Sequence, residues 1–373
     1  VGSEMCIRDR DKLLGRLSEY MSINVQADSI GRVTVTSSSG NTLLQAQGDA
    51  VQFVFDQRGV VNAETLYSTD EDLRGVGTIK LISGSGGEID LIQQGTVNSG
   101  RLGALIELRD DILVEAQSQL DELAHNLALS LSTRDALGTA ATSGAQTGFD
   151  VDLTGLQAGN QITLNYTEGG TEKTLTIIRV DDASQLPLSN DVTADPNDTV
   201  LGVDFSGGTA GIIADIQTAL GGDLTVSNPS GEVLRILDDG AAGNTDVDSL
   251  AAGITVTAVQ DDGTALPLFT DGGLAYTGSL DGGSQKLGFA ARIDVNALIV
   301  ADNELLVRYQ SSPETPIGDP DRPLDLLNRL TERQMTFDPD AGIGQASRPY
   351  TGAVSNYGIQ IVSYQGAQAE QIT

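Results

Sequence analysis

Gly100-Arg-Leu-Gly-Ala-Leu-Ile-Glu-Leu-Arg-Asp110 runs on through Asp111-Ile-Leu-Val-Glu-Ala-Gln-Ser-Gln-Leu120 into Asp121-Glu-Leu-Ala-His-Asn-Leu-Ala-Leu-Ser-Leu131. Leu105, Leu108, Ile112, Leu113, Ala116, Leu120, Leu123, Leu127 and Leu131 recur at steps of three and four, the spacing of one helical face. The pattern predicts a helix from Gly100 to about Arg134, with an apolar seam over roughly seven turns. A stripe so long and narrow suits a helical bundle or coiled-coil rod better than a globular core.

Upstream, Arg10 to Met21 predicts another helix, with Leu13, Leu14, Leu17 and Met21 on one stripe. From Ile23 the period changes to two. Val33 and Val35 fall on one face of a strand that turns at Ser37-Ser-Ser-Gly40. Further short apolar runs at Val51–Phe55, Ile79–Ile82 and Glu88–Gln93 complete a small antiparallel β unit. Downstream, residues 136–148 are rich in Gly, Ala, Ser and Thr and read as a linker.

Residues 149–285 then alternate strand patterns with Asn, Asp and Gly turns. One short helix is expected at Thr209–Leu220, stopped by Gly221-Gly222, and a division into lobes falls near Pro196. After Gly288 a strand is expected at Phe289–Ile293 and a short helix at Leu324–Met335. A final helix from Pro349 to Thr373 carries Val354, Tyr357, Ile361, Tyr364 and Ala367 on its seam.

Helical flanks around a β-rich middle predict an elongated, multidomain α+β chain. Residues 10–135 and 286–373 would form one discontinuous domain, a long-helix bundle with the small β unit. Residues 149–285 would be an inserted β-rich domain. The opening Val1-Gly-Ser-Glu-Met-Cys-Ile-Arg-Asp9 leads into no pattern, so residues 1–9 read as a non-native scar. With no stop signal before Thr373, the chain reads as cut at both ends. The expected packing seam is Leu105, Leu108, Ile112, Leu120, Leu123 and Leu127, buried against the return strand and the final helix.

Composition removes several functions. The 373 residues hold 21 Lys and Arg against 52 Asp and Glu, a net charge of −31. Such a surface repels nucleic-acid backbones and anionic membranes. No apolar run approaches the ~20 residues of a membrane-spanning helix. A lone Cys6 precludes a disulfide framework or a Cys-ligated zinc, and a lone His125 leaves little for histidine catalysis. His125, two residues past seam Leu123, is expected at the seam's edge or in solvent, in a structural role. No nucleophile elbow or phosphate loop occurs, so no enzyme activity, cofactor or metal is expected. Two alternatives use the carboxylates: a remote one is an acid/base hydrolase with paired acids, disfavoured by the scarcity of aromatic residues for a sugar platform, and the nearer one rests on the pairs Asp150/Asp152, Asp246/Asp248 and Asp319/Asp321. As oxygen ligands they would make the chain a Ca²⁺-stabilised extracellular adhesin or surface binding module.

Arg10-Asp-Lys-Leu-Leu14 leading to Leu17-Ser-Glu19, the Gly100–Asp110 run followed by Glu115-Ala-Gln-Ser-Gln-Leu-Asp-Glu-Leu-Ala124, Phe289-Ala-Ala-Arg-Ile-Asp-Val-Asn296, and Ser355-Asn-Tyr357 leading to Gln368-Ala369 together resemble the FlgK-type flagellar hook-associated proteins. The resemblance covers about residues 10–135 and 286–373, and Gly100–Ala124 is its most specific part. It implies a structural junction protein between flagellar hook and filament, located outside the cell and exported through the flagellar type III channel without a cleaved signal peptide. It implies a ring of subunits, with the hook protein on one side and a second junction protein and flagellin on the other, and an export chaperone. The helical parts would form an inner tube and the β-rich part would project outward.

Overall fold

A computed structural model describes residues 2–46, 51–83, 86–195 and 198–371. Pro196 and Thr373 lie outside the described residues. The fold is α+β, and the chain divides into two compact units, Val1–Gln117 and Ser118–Thr373.

The first unit opens with helix α1 (Gly2–Tyr20). Residues 2–9, within the segment read as a scar, are helical. A three-stranded antiparallel meander follows: β1 (Ile23–Ala27), β2 (Val33–Ser37) and β3 (Thr42–Leu44). A second antiparallel sheet holds β4 (Gln52–Asp56), β5 (Thr78–Ile82) and β6 (Glu88–Asp90) in that order. Val33 and Val35 of β2 are buried on one face, as the alternation requires. They join Met21, Leu43, Leu81, Leu91 and Val97 in one core, edged by Leu14, Leu17, Leu102 and Ile106.

An ion pair is buried in this unit. Arg74 holds Asp90 at 2.8 Å, and Asp90 also accepts the Thr78 hydroxyl at 2.7 Å and the Ile92 and Gln93 N–H groups at 3.0 Å. Burial pushes the Asp90 carboxyl upward, but these hydrogen bonds and the guanidinium outweigh it and hold the pKa below the usual value.

Helix α2 (Gly100–Glu107) leads through a π-helical turn, Leu108–Ile112, into α3 (Leu113–Ser132). The predicted long helix is therefore present but interrupted, and it ends two residues earlier than expected. The turn is tied down by Arg109, which donates to the Gly77 carbonyl at 2.8 Å and pairs with Asp110. The division between the two units falls inside α3.

The second unit continues from α3 into a two-sheet β-sandwich. Its strands are β7 (Thr133–Leu137), β8 (Thr139–Ser143), β9 (Gln146–Asp152), β10 (Gln161–Glu168), β11 (Thr171–Val180) and β12 (Thr199–Asp204). After helix α4 (Thr209–Leu220) come β13 (Thr225–Ser227), β14 (Val233–Leu237) and β15 (Thr245–Thr255). One sheet runs β12-β11-β10-β15-β7 and the other β13-β14-β9-β8. All pairs are antiparallel except β11 with β12.

Leu164, Ile177, Val203, Leu234, Ile236, Leu250 and Ile254 fill the space between the sheets, with Ile212 and Ile216 of α4. The stretch read as a linker is thus the end of β7, the whole of β8 and the start of β9. Its Thr, Ala and Gly residues hide the strand period, but Ala141 pairs with Gly148 across the hairpin and is buried there.

Past the sandwich, β16 (Phe269–Asp271), β17 (Leu274–Ala275) and β18 (Ile293–Val295) form a small sheet, followed by α5 (Ala297–Ala301) and α6 (Asp321–Thr331). Another small sheet, β19 (Met335–Phe337), β20 (Gly344–Gln345) and β21 (Arg348–Gly352), precedes the final helix α7 (Val354–Gln371). Three expectations shift here. Phe289–Ala291 is a 3-10 turn, with the strand only at β18. The short helix begins at Asp321 and gives way before Met335. The final helix starts at Val354, because Arg348–Gly352 pairs with β19 and β20.

Arg322 gathers the intervening loops. It is fully buried and donates to the carbonyls of Val259, Leu305 and Arg308 at 3.0, 2.8 and 3.3 Å, and to those of Gly263 and Ala265 at 3.1 Å. Burial lowers its pKa to about 10, still charged at neutral pH.

The glycines of the Gly100-Arg-Leu-Gly103 run are fixed by close approach. Gly100 has φ +67°, and a Cβ there would lie 2.7 Å from the Tyr20 carbonyl where α1 ends; a Cβ on Gly103 would lie 2.7 Å from the Asn98 carbonyl carbon. Gly100→Ala is expected to destabilise the chain by about 1–3 kcal/mol in urea unfolding. Gly15→Ala, inside α1 with open space around it, is expected to be neutral or stabilising by up to ~1 kcal/mol. Equal effects from the two would contradict this account of the motif.

Candidate functional site

The C-terminal half of α3 is gripped on two sides by aromatic stacks. Leu123 and Leu127 pack on a cluster built around Phe337 and Tyr357, whose rings stack at 3.9 Å and 9°. Val354, Ile361 and Ile343 are buried in the same cluster, and Tyr364, Tyr350 and Met335 lie at its edge. Ala124 and Ala128 belong to a second cluster with Tyr276 and Phe289, stacked at 3.7 Å and 13°. Alanine at both helical positions gives the rings room to approach the helix. The chain has only 7 Phe and 8 Tyr, and seven of these aromatics meet in the two clusters.

Two adjacent acids of α3 reach in different directions. Asp121 is buried and accepts the N–H groups of Gly288 and Ala290, each at 2.8 Å. That holds the 3-10 turn carrying Phe289. Glu122, 2% exposed, accepts from the Asn126 amide at 2.8 Å and the Asp338 N–H at 3.0 Å. Its other oxygen meets Lys286 Nζ at 2.5 Å, and Lys286 also pairs with Asp338 at 2.9 Å. Burial pulls the Lys286 pKa down, but the charges of Glu122 and Asp338 outweigh it and raise the pKa above the ordinary value. The lysine is therefore firmly charged.

His125 is not at a free edge. Its Nδ1 lies 2.7 Å from the Tyr276 hydroxyl, and burial pushes the imidazole pKa from 6.5 down to about 4. Burial also raises the Tyr276 hydroxyl, so the pair is neutral at physiological pH. Where α3 ends, Arg329 of α6 donates to the Ser130 and Thr133 carbonyls at 3.0 and 2.6 Å, and Asp325 holds it in place at 2.7 Å. A cation on the last carbonyls of a helix favours that terminus.

The expected seam is therefore divided. Val354, Tyr357 and Ile361 are buried, and Leu123, Leu127 and Tyr364 are half-buried beside them. Leu105, Leu108 and Leu120 are not buried: they are 51%, 40% and 47% exposed. Ile112, in the π-helical turn, is half-buried. The reason is geometric. In the first unit α2 turns Leu102, Gly103 and Ile106 inward instead. In the second unit the closest positions on α3 belong to Gln119, Asp121, Glu122, Asn126 and the alanines. Reading only apolar residues misses that face. Its signal is a pair of acids and an Asn at helical spacing inside a Leu-rich run.

The carboxylate pairs have other work. Asp150 forms a bidentate pair with Arg235 at 2.6 and 2.7 Å, and Asp152 accepts from Thr154. Asp248 accepts from Thr167, and Asp319 accepts the Asp321 N–H. Among the described residues no group of three or more His, Cys, Asp or Glu side chains is placed to hold a metal, and no helix is long and apolar enough to cross a membrane.

Glu122→Ala leaves Lys286 with one partner and the Asp338 N–H with none, and is expected to cost about 3 kcal/mol in urea unfolding; a cost below ~1 kcal/mol would contradict the anchoring role. His125 is neutral in the folded chain down to about pH 4, while the unfolded chain takes up its proton near 6.5. Its contribution to stability is thus full above 6.5 and falls as pH drops towards 4, by up to ~1.4 kcal/mol per pH unit. The difference in stability between the parent and His125→Gln should follow that slope between pH 6.5 and 4. A pH-independent difference would contradict it.

Comparison with known proteins adds one positive finding. No curated protein matches the chain. Residues 7–152, from α1 to the end of β9, match the family model of the flagellar hook-associated protein FlgK helical domain. That is less than half of the chain, and over it the protein is similar to a structural component of the bacterial flagellum.

Proposed function

We propose that this protein is a hook–filament junction subunit of the bacterial flagellum, working by packing and assembly with no active site. The match of residues 7–152 to the hook-associated helical domain carries the reading. The exposed leucines support it. Leu105, Leu108, Leu113 and Leu120 stand 40–55% exposed, and apolar side chains on a helix surface gain most when a neighbouring helix covers them.

In this reading subunits form a ring on the hook, with a second junction protein and flagellin beyond it, outside the cell. The chain leaves through the flagellar export channel, accompanied by a chaperone and without a cleaved leader. Residues 10–135 and 286–373 serve as the inner, tube-forming part and 149–285 as the outward part. The return of α7 onto Leu123 and Leu127 supports that grouping.

Deleting the encoding gene in its own host should leave bare hooks with flagellin shed into the medium, as seen by electron microscopy. Restoring the parent gene should restore filaments. A Leu105→Asp/Leu120→Asp version should melt within about 2 °C of the parent, because both side chains are already exposed, yet fail to restore filaments. Normal filaments in the deletion strain would overturn the proposal.

A further inference from the structure

We infer that the β-sandwich carries a binding site for a small zwitterion with an apolar body, the chemistry of a free hydrophobic amino acid. A cavity of about 400 Å³ opens where α4 meets the sandwich. This falls within the size range of small-molecule sites. Its apolar wall is made by Leu153, Leu156, Phe205, Ile212, Ile213 and Leu234.

Polar groups of both kinds line the same cavity. Arg179 is the donor. It pairs with Asp181 at 2.9 and 3.0 Å, donates to the Leu156 carbonyl, and lies over the Phe205 ring at 5.4 Å. These bonds engage three of its five N–H groups and leave two for a carboxylate. The acceptors are Gln157, Asn228 and Glu232. Gln157 and Asn228 give their amide N–H groups to the Gly155 and Gly231 carbonyls, at 2.9 and 2.8 Å, which leaves each amide oxygen to accept.

Charge decides the class of ligand. The Arg179 cation is balanced by Asp181, whereas Glu232 is exposed and has no described ion pair. The lining thus carries one uncompensated negative charge, in a chain of net charge −31. An anionic amphiphile meets that charge unfavourably. An ammonium group meets Glu232 and the two amide oxygens, and a carboxylate on the same molecule meets the spare Arg179 donors. The apolar body then covers the Leu, Ile and Phe wall.

The test uses the full chain and four probes, read by isothermal titration and by methyl NMR of the isoleucines. L-phenylalanine should bind with a Kd of about 0.1–1 mM and shift the Ile212 and Ile213 methyl signals. Phenethylamine, 3-phenylpropionate and glycine lack the carboxylate, the ammonium and the apolar body respectively. Each should bind at least about fivefold more weakly. Glu232→Gln, an exposed change that leaves the fold intact, should weaken phenylalanine and phenethylamine about fivefold and, by removing the repelling charge, strengthen 3-phenylpropionate. The inference is overturned if phenylalanine fails to bind at about 10 mM. It is also overturned if glycine binds equally well, if the shifted methyls lie away from the cavity, or if Glu232→Gln changes nothing.

Discussion

Asp121 and Glu122, neighbours on one turn of α3, hold chain that is more than 160 residues away in sequence. Asp121 fixes the turn that presents Phe289. Glu122, with Lys286, fixes the approach of Asp338 and so the strand carrying Phe337. Both aromatic stacks depend on these contacts, because a stacked ring is only as well placed as the backbone it stands on. The rest of the second unit's helical part follows: α7 can cover Leu123 and Leu127 only if Phe337 is there to stack on Tyr357.

This arrangement selects one register at some energetic cost. Burying two carboxylates is unfavourable unless hydrogen bonds and a counter-charge offset their lost hydration. Here backbone N–H groups serve Asp121, and an ammonium, an amide and an N–H serve Glu122. A purely leucine-lined helix could slide by a turn and still bury apolar area, whereas these acids have one set of donors. Buried polar contacts of this kind fix which face of α3 is covered and which stays exposed.

Much of the fold was legible because its signals are local. The leucine steps located α2 and α3, the β2 alternation marked the first unit's core, and Gly221 ended α4 where expected. The failures have physical causes. Residues 136–148 looked like a linker because their strands use Thr, Ala and Gly, whose burial comes from partners distant in sequence. The return segment looked like one strand because its 3-10 turn is imposed by Asp121 from another element. The seam was legible only in part. Period alone places Leu105, Leu108 and Leu120 on a face, but which face is covered depends on what returns to it. The cavity of the sandwich left no motif, since its wall and polar groups come from four separated segments.

The central claim is that α3, the 287–291 turn, the 335–343 segment and α7 form one cooperative unit locked by Asp121 and Glu122. Native-state hydrogen exchange measured residue by residue tests it most directly. The account predicts that slow amides at residues 121–131, 288–292, 335–343 and 357–364 open with a common free energy, and that Glu122→Ala lowers all of them together. If the α7 amides instead open well before those of α3 and ignore the substitution, the two helices are independent and the account fails.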